Sequence, residues 1–294
     1  MNLTRDNPGP GETSGRVVQN PALPDMQSHG VLYDRFCQTP WYKDVNRHLL
    51  GLVDVMSNGT ILDLGCGTGA SIEMLAQRLR GGRIIGVDNS EYMLRVASVK
   101  FRGHPNITLL EGDISHLDMH LGRVGKVNKV FCFNAIHYLP EKEPLVRHVA
   151  SLLDEGEIFA FNTGFYKGST NPAVNLYRPF ALEIARILRR DYAGLPSSIT
   201  SREARSTPLT QEDYRSMLTS AGFSVAFEVK PIFIPRESVR EFFSIPGTGH
   251  GFLPEVPDSI RQAIISQAAS KVLDSKSLDG ITQNWLYMVG RKNH

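Results

Sequence analysis

The feature that most restricts this chain is a short apolar run that passes straight into a glycine loop and then into a helix. Thr60-Ile-Leu-Asp-Leu64 is of strand type, and Gly65-Cys-Gly-Thr-Gly69 cuts it off. Ala70 to Leu79 then sets Ile72, Leu75, Ala76 and Leu79 on one helical face until Gly81-Gly82 stops it. The alternation repeats. Arg83 to Val87 reads as a strand leading to Asp88, and Ser90 as the N-cap of a helix to about Phe101. Asn106 to Leu110 leads to Asp113, Val127 to Phe133 leads to Asn134, and Glu157 to Phe161 follows a helix over Glu143 to Leu153. Five strands interleaved with helices predict an α/β fold, with a doubly wound, Rossmann-like and mainly parallel sheet.

A helix over Trp41 to Val55 precedes this core, and the rhythm changes after Gly164. Tyr177 to Arg190, Thr210 to Ala221, Glu237 to Phe243 and Ser259 to Leu273 read as helices, while Phe223 to Ile234 and Trp285 to Val289 read as strands. The expected layout is a flexible head over 1–30 and one domain over 31–294. Its core spans 58–165, and helical cap insertions fall at about 166–209 and 235–280. Residues 1–24 hold four prolines and no hydrophobic segment, so they read as neither a signal peptide nor an anchor. No apolar run nears the ~20 residues that span a bilayer. Three distant cysteines offer no disulfide framework, which points to a soluble, cytoplasmic protein. Thirty-two basic against thirty acidic residues leave +2, too little to grip nucleic acid or a membrane surface by charge.

Ligands of such sheets bind beyond the carboxyl ends of the strands. Gly65, Gly67 and Gly69 allow a sharp turn and a close backbone approach. Asp88, twenty-one residues past Gly67, stands where a carboxylate can accept hydrogen bonds from both ribose hydroxyls. The loop also satisfies the dinucleotide pattern G-x-G-x-x-[G/A], so a nicotinamide cofactor is an open alternative. Three features favour S-adenosylmethionine. Asp63 beside the loop would repel a pyrophosphate and attract an ammonium group. Asp113 can accept from an exocyclic adenine amine, and no second mononucleotide-binding half follows.

Ile61-Leu-Asp-Leu-Gly-Cys-Gly-Thr-Gly69, Gly86-Val-Asp-Asn-Ser-Glu-Tyr-Met-Leu94, Glu111-Gly-Asp113 and Phe133-Asn-Ala-Ile-His-Tyr-Leu139 arrive in order. Together they resemble the class I S-adenosylmethionine-dependent methyltransferases, nearest to the small-molecule branch of the ubiquinone/menaquinone-biosynthesis type. The likeness covers roughly residues 60–165 and implies a seven-stranded sheet with a reversed final hairpin, to which the later segments add a helical cap. By position it implies that Gly65, Gly67 and Asp63 serve the methionyl part and that Asp88 takes the ribose. Met93 and Asn89 would flank the adenine, Asp113 and the Ile114 amide would read its polar edge, and Asn134 would lie near the methionyl group. Tyr33 resembles the upstream aromatic that closes over the cofactor, with a core tyrosine as the alternative.

Methyl transfer needs in-line alignment, exclusion of water and, for some acceptors, a base. His137, three residues past Asn134, is the candidate base, and Tyr166 is a second pocket candidate. His116 and His120 stand among loop residues, and no metal is expected. Phe233, Phe242, Phe243, Phe252, Leu253, Tyr177 and Phe180 offer an apolar lining for a small-molecule substrate, and Gly247–Gly251 a hinge with His250 inside it. Between Arg178 and Arg205, six arginines face three acids, a surplus that could receive an acidic substrate group or a carrier protein. The expected activity is methyl transfer to carbon or oxygen of a hydrophobic metabolite. A protein that binds the cofactor without transfer, regulatory or a cyclase, is the alternative.

Overall fold

The computed structural model describes residues 16–17, 29–55, 58–120, 126–169, 176–195, 208–245, 253 and 255–294. Its strands are β1 (Arg16–Val17), β2 (Thr60–Leu64), β3 (Arg83–Asp88), β4 (Ile107–Glu111), β5 (Val127–Phe133), β6 (Leu153–Thr163), β7 (Phe223–Pro235) and β8 (Gly280–Lys292). They form one sheet in the order β1-β4-β3-β2-β5-β6-β8-β7. Strands β2 to β6 pair in parallel, and β8 inserts antiparallel between β6 and β7. Apart from the two-residue β1, this is the seven-stranded sheet with a reversed last hairpin. β1 comes from the segment read as a flexible head and pairs Arg16 with Glu111 and Val17 with Leu110 at the β4 edge.

The helices are α1 (His29–Cys37), α2 (Pro40–Gly51), α3 (Ala70–Ala76), α4 (Glu91–Lys100), α5 (Glu143–Leu152), α6 (Tyr177–Asp191), α7 (Gln211–Ser220), α8 (Arg236–Ser244) and α9 (Asp258–Ser275). Parallel strands are covered on both faces and therefore read as continuous apolar runs; every residue of β2 is buried. On one face Leu62, Leu64 and Val130 meet α5 and α7 through Val146, Val149 and Leu218. On the other, Ile61 and Phe131 meet α2, α3 and α4 through Leu49, Ile72 and Leu94. The helix read as reaching Val55 ends at Gly51, yet Val53 and Val55 remain buried in this second cluster. The apolar spacing there marked burial rather than helix.

A third cluster builds the cap. Phe180, Ile184, Ile187 and Leu188 of α6 pack on Ile264, Ile265, Ala268 and Ala269 of α9. Phe242 of α8 ties the cap to α1, its ring 5.4 Å from that of Phe36. Among the described residues no helix is long and apolar enough to cross a membrane.

Candidate active site

A cavity of about 810 Å³ opens where the strand order reverses, between β2 and β5 at their carboxyl ends. The loop after β2 contributes Gly65 and Gly67, and the end of β3 contributes Asp88 and Asn89. Met93 comes from the first turn of α4, which Ser90 caps by accepting from the Met93 amide. Asp113 and Ile114 follow β4, Asn134 and His137 follow β5, and Tyr33 reaches in from α1. Ten of the twelve expected site residues therefore meet at one cleft. Asp63 and Tyr166 do not line it.

The glycine loop and Asp88 form one unit. The Gly65 amide donates to Val87 O at 2.8 Å with φ at 71°, and a Cβ there would stand 2.5 Å from Ala135 Cβ. Gly67, at φ 54°, donates its amide to Asp88 Oδ2 at 2.8 Å, and a Cβ on it would meet only Tyr33 Cε1, at 3.9 Å. Asp88 Oδ1 accepts from the Ser90 amide at 2.9 Å. Burial raises the Asp88 pKa, and the Ser90 and Gly67 amides oppose that rise. Two amides thus fix the carboxylate's orientation, while its other lone pairs remain for a vicinal diol.

Asp63 is fully buried behind Ser71, whose hydroxyl donates to Oδ2 at 2.5 Å. Oδ1 is buried without a partner among the described residues. Asp63 therefore does not stand in the cleft; Ser71 does, and any grip on an amine passes through it. This corrects the expected placement, because a side chain within β2 points into the layer between sheet and helix rather than past the strand end. Burial pushes the Asp63 pKa up to about 7, the Ser71 bond opposes this, and the Asp88 charge adds to it. A raised carboxyl stabilises the fold fully below the unfolded pKa near 4 and loses that contribution as pH climbs through about 7. Asp63→Asn should match the wild type near pH 4 and exceed it at pH 8, by up to about 4 kcal/mol. Urea melts across that range check this; parallel curves would contradict it.

Asp113 accepts from the Ser115 amide at 2.8 Å and the Ser115 hydroxyl at 2.5 Å. Burial alone would raise its pKa, but these bonds and His116 outweigh it and hold the carboxyl below its ordinary value. Beyond β5, Asn134 accepts from Trp285 Nε1 at 2.9 Å and donates Nδ2 to Asn46 Oδ1 at 2.9 Å. His137 Nδ1 lies 3.1 Å from Thr163 Oγ1, and its ring packs 4.2 Å from Tyr138 and 4.5 Å from Phe165. Tyr166 is corrected out of the pocket. Phe165 packs on His137, while Tyr166, in the turn after β6, is buried in the core cluster with residues of α5 and α7.

The expected apolar lining is also redrawn. Phe242 lines the cleft, but Phe180, Phe243 and Leu253 pack within the cap, and Phe233 is 54% exposed. Phe252, His250, the 247–251 hinge and the side chain of Tyr177 lie outside the described residues. Sequence reasoning missed Tyr42 and Asn46, one helical turn apart on α2 and both facing the cavity. Their i, i+4 spacing was a readable signal, masked by the apolar face beside it. Tyr42 Oη lies 3.3 Å from Tyr33 Oη. On α6, Arg186 pairs with Glu183 at 3.1 Å and Arg190 with Asp191 at 2.6 Å, which spends part of the basic surplus locally.

Comparison with known proteins gives the following. The family described as "Methyltransferase domain" matches residues 61–156. A trans-aconitate 2-methyltransferase of Rhodopseudomonas palustris (strain HaA2) is 32% identical over 115 residues, 39% of this chain and 42% of the relative. A second, from Azoarcus sp. (strain BH72), is 27% identical over 185 residues, 60% of this chain and 69% of the relative. The chain thus spans under half of the first relative's length and about two thirds of the second's. Among solved structures, phosphoethanolamine N-methyltransferase 2 of Haemonchus contortus, in complex with S-adenosyl-L-methionine, superposes with a TM-score of 0.55 at 17% identity. That match covers 92% of this chain and 58% of the other, a likeness of fold.

Proposed function

We propose that this chain is a class I S-adenosylmethionine-dependent methyltransferase and that it transfers the sulfonium methyl to a carbon or oxygen of a hydrophobic small molecule, a natural-product or quinone-like metabolite. The observation that carries this reading is the Asp88 carboxylate, tied to the Gly67 and Ser90 amides at the rim of a cavity roomy enough for a nucleoside and an acceptor. The narrower likeness to the ubiquinone/menaquinone-biosynthesis type rests on the motifs alone.

The residues present fit the cofactor. Gly67 leaves its wall open toward Tyr33, and the buried Asp63 carboxyl behind Ser71 would be drawn into its charged form by an ammonium group held there. When bound, the cofactor supplies an activated methyl group. The chain holds the ribose on Asp88 and the adenine between Met93 and Asn89, with Asp113 and the Ile114 amide at its polar edge. Gly65, Gly67 and Asn134 border the methionyl part. Tyr42, Tyr138 and Phe242 shield the acceptor side from water. His137, oriented by Thr163, takes the acceptor's proton where the acceptor has one to lose.

Incubation with S-adenosylmethionine and candidate hydrophobic acceptors should release S-adenosylhomocysteine. Cofactor binding with no release across acceptor classes would favour a regulatory protein or a cyclase. Reversing the charges of Arg186, Arg189 and Arg190 should leave acceptor affinity unchanged. A loss that fades with added salt would instead mark an acidic carrier protein as the partner.

A further inference from the structure

We infer that Trp285, on β8 and outside the cavity lining, is a positioning residue for the methionyl half of the cofactor, acting through Asn134; this rests on the cofactor reading above. The sheet order puts β3 and β4 on one side of the switch point and β5 on the other. Asp88 and Asp113, assigned to the ribose and adenine, belong to the first side. Asn134 directly follows β5, so the part of the ligand over it is not the nucleoside.

Asn134 sits at φ 50°, in the left-handed region that asparagine adopts more readily than other residues with side chains, and its hydrogen bonds hold it there. Its amide donates to Asn162 Oδ1 at 2.9 Å, its Nδ2 to Asn46 Oδ1 at 2.9 Å, and its Oδ1 accepts from Trp285 Nε1 at 2.9 Å. Asn162 Nδ2 closes the set on Asn46 Oδ1 at 3.2 Å. All four residues are buried, and they come from α2, the turn after β5, β6 and β8. The Asn134 side chain is spent on the protein, so it serves the ligand by shaping the turn. The indole N–H is the member of this set that fixes which way the amide points, since only Oδ1 can accept it. The indole in turn lies against Gly164, where a Cβ would stand 2.6, 2.7 and 2.8 Å from three ring atoms.

Two substitutions therefore address the clamp without touching the cleft. Trp285→Phe keeps a ring but removes the donor, leaving a buried acceptor unmet. Gly164→Ala keeps the indole but displaces it. The test is calorimetric titration of wild type and both variants with S-adenosylhomocysteine and with 5′-methylthioadenosine, the same nucleoside without the amino-acid end. Both variants should bind S-adenosylhomocysteine at least about fivefold more weakly, with 5′-methylthioadenosine affinity held within about twofold. Unchanged S-adenosylhomocysteine binding, or a parallel loss for both ligands, would overturn the inference while the cofactor reading stands. A wild type that binds neither ligand would overturn that reading, and the inference with it.

Discussion

Replacing Asp88 with alanine is expected to lower the affinity for S-adenosylhomocysteine by at least about a hundredfold. Hydrogen bonds to a charged group contribute about 1.5–3 kcal/mol each, and the carboxylate is placed to accept two from the ribose, which gives roughly 10²–10⁴. The substitution also frees the Gly67 amide, now held at 2.8 Å, and with it the loop that walls the cleft. Asp88→Asn should fall between, because it keeps one oxygen acceptor and the side-chain shape but loses the charge. Titration calorimetry on variants of unchanged circular dichroism reads the effect. A loss under tenfold for Asp88→Ala would remove the ribose assignment.

The second large effect is expected at His137. With any acceptor that must lose a proton, His137→Ala should cut kcat by about 10²–10⁴ and leave S-adenosylhomocysteine affinity within about fivefold. Thr163 holds Nδ1, and Tyr138 and Phe165 flank the ring, so the imidazole is oriented rather than loose. A drop below tenfold would reduce His137 to a wall of the pocket.

What the amino-acid sequence discloses here follows what local chemistry can encode. Strand runs such as Thr60–Leu64, bounded by glycines and ending in Asp88, Asp113 and Asn134, carry their own register and endpoints. The sheet was legible from them, and so was the gathering of most of the candidate residues at one cleft. Asp63 was misplaced because sequence position shows nearness to a strand end, whereas the pleat decides which side a residue faces; Tyr166, past the end of β6, was misplaced because the turn after the strand buries it in the core. The clamp at Asn134 was invisible for a different reason. Asn46 and Trp285 lie 88 and 151 positions from it, and only the folded sheet brings them into hydrogen-bonding contact. Phe180 and Phe243 look like pocket residues in any linear reading, since a cap core and a pocket wall share one composition; their packing against α9 separates the two.

The account turns on a sulfonium nucleoside occupying the cleft at the β2/β5 switch point. Titration calorimetry of the full chain with S-adenosylhomocysteine, alongside NAD and NADP, tests this most directly. The account predicts one-site binding of S-adenosylhomocysteine and no heat with either dinucleotide. Silence with S-adenosylhomocysteine and a saturable signal with a nicotinamide dinucleotide would contradict it.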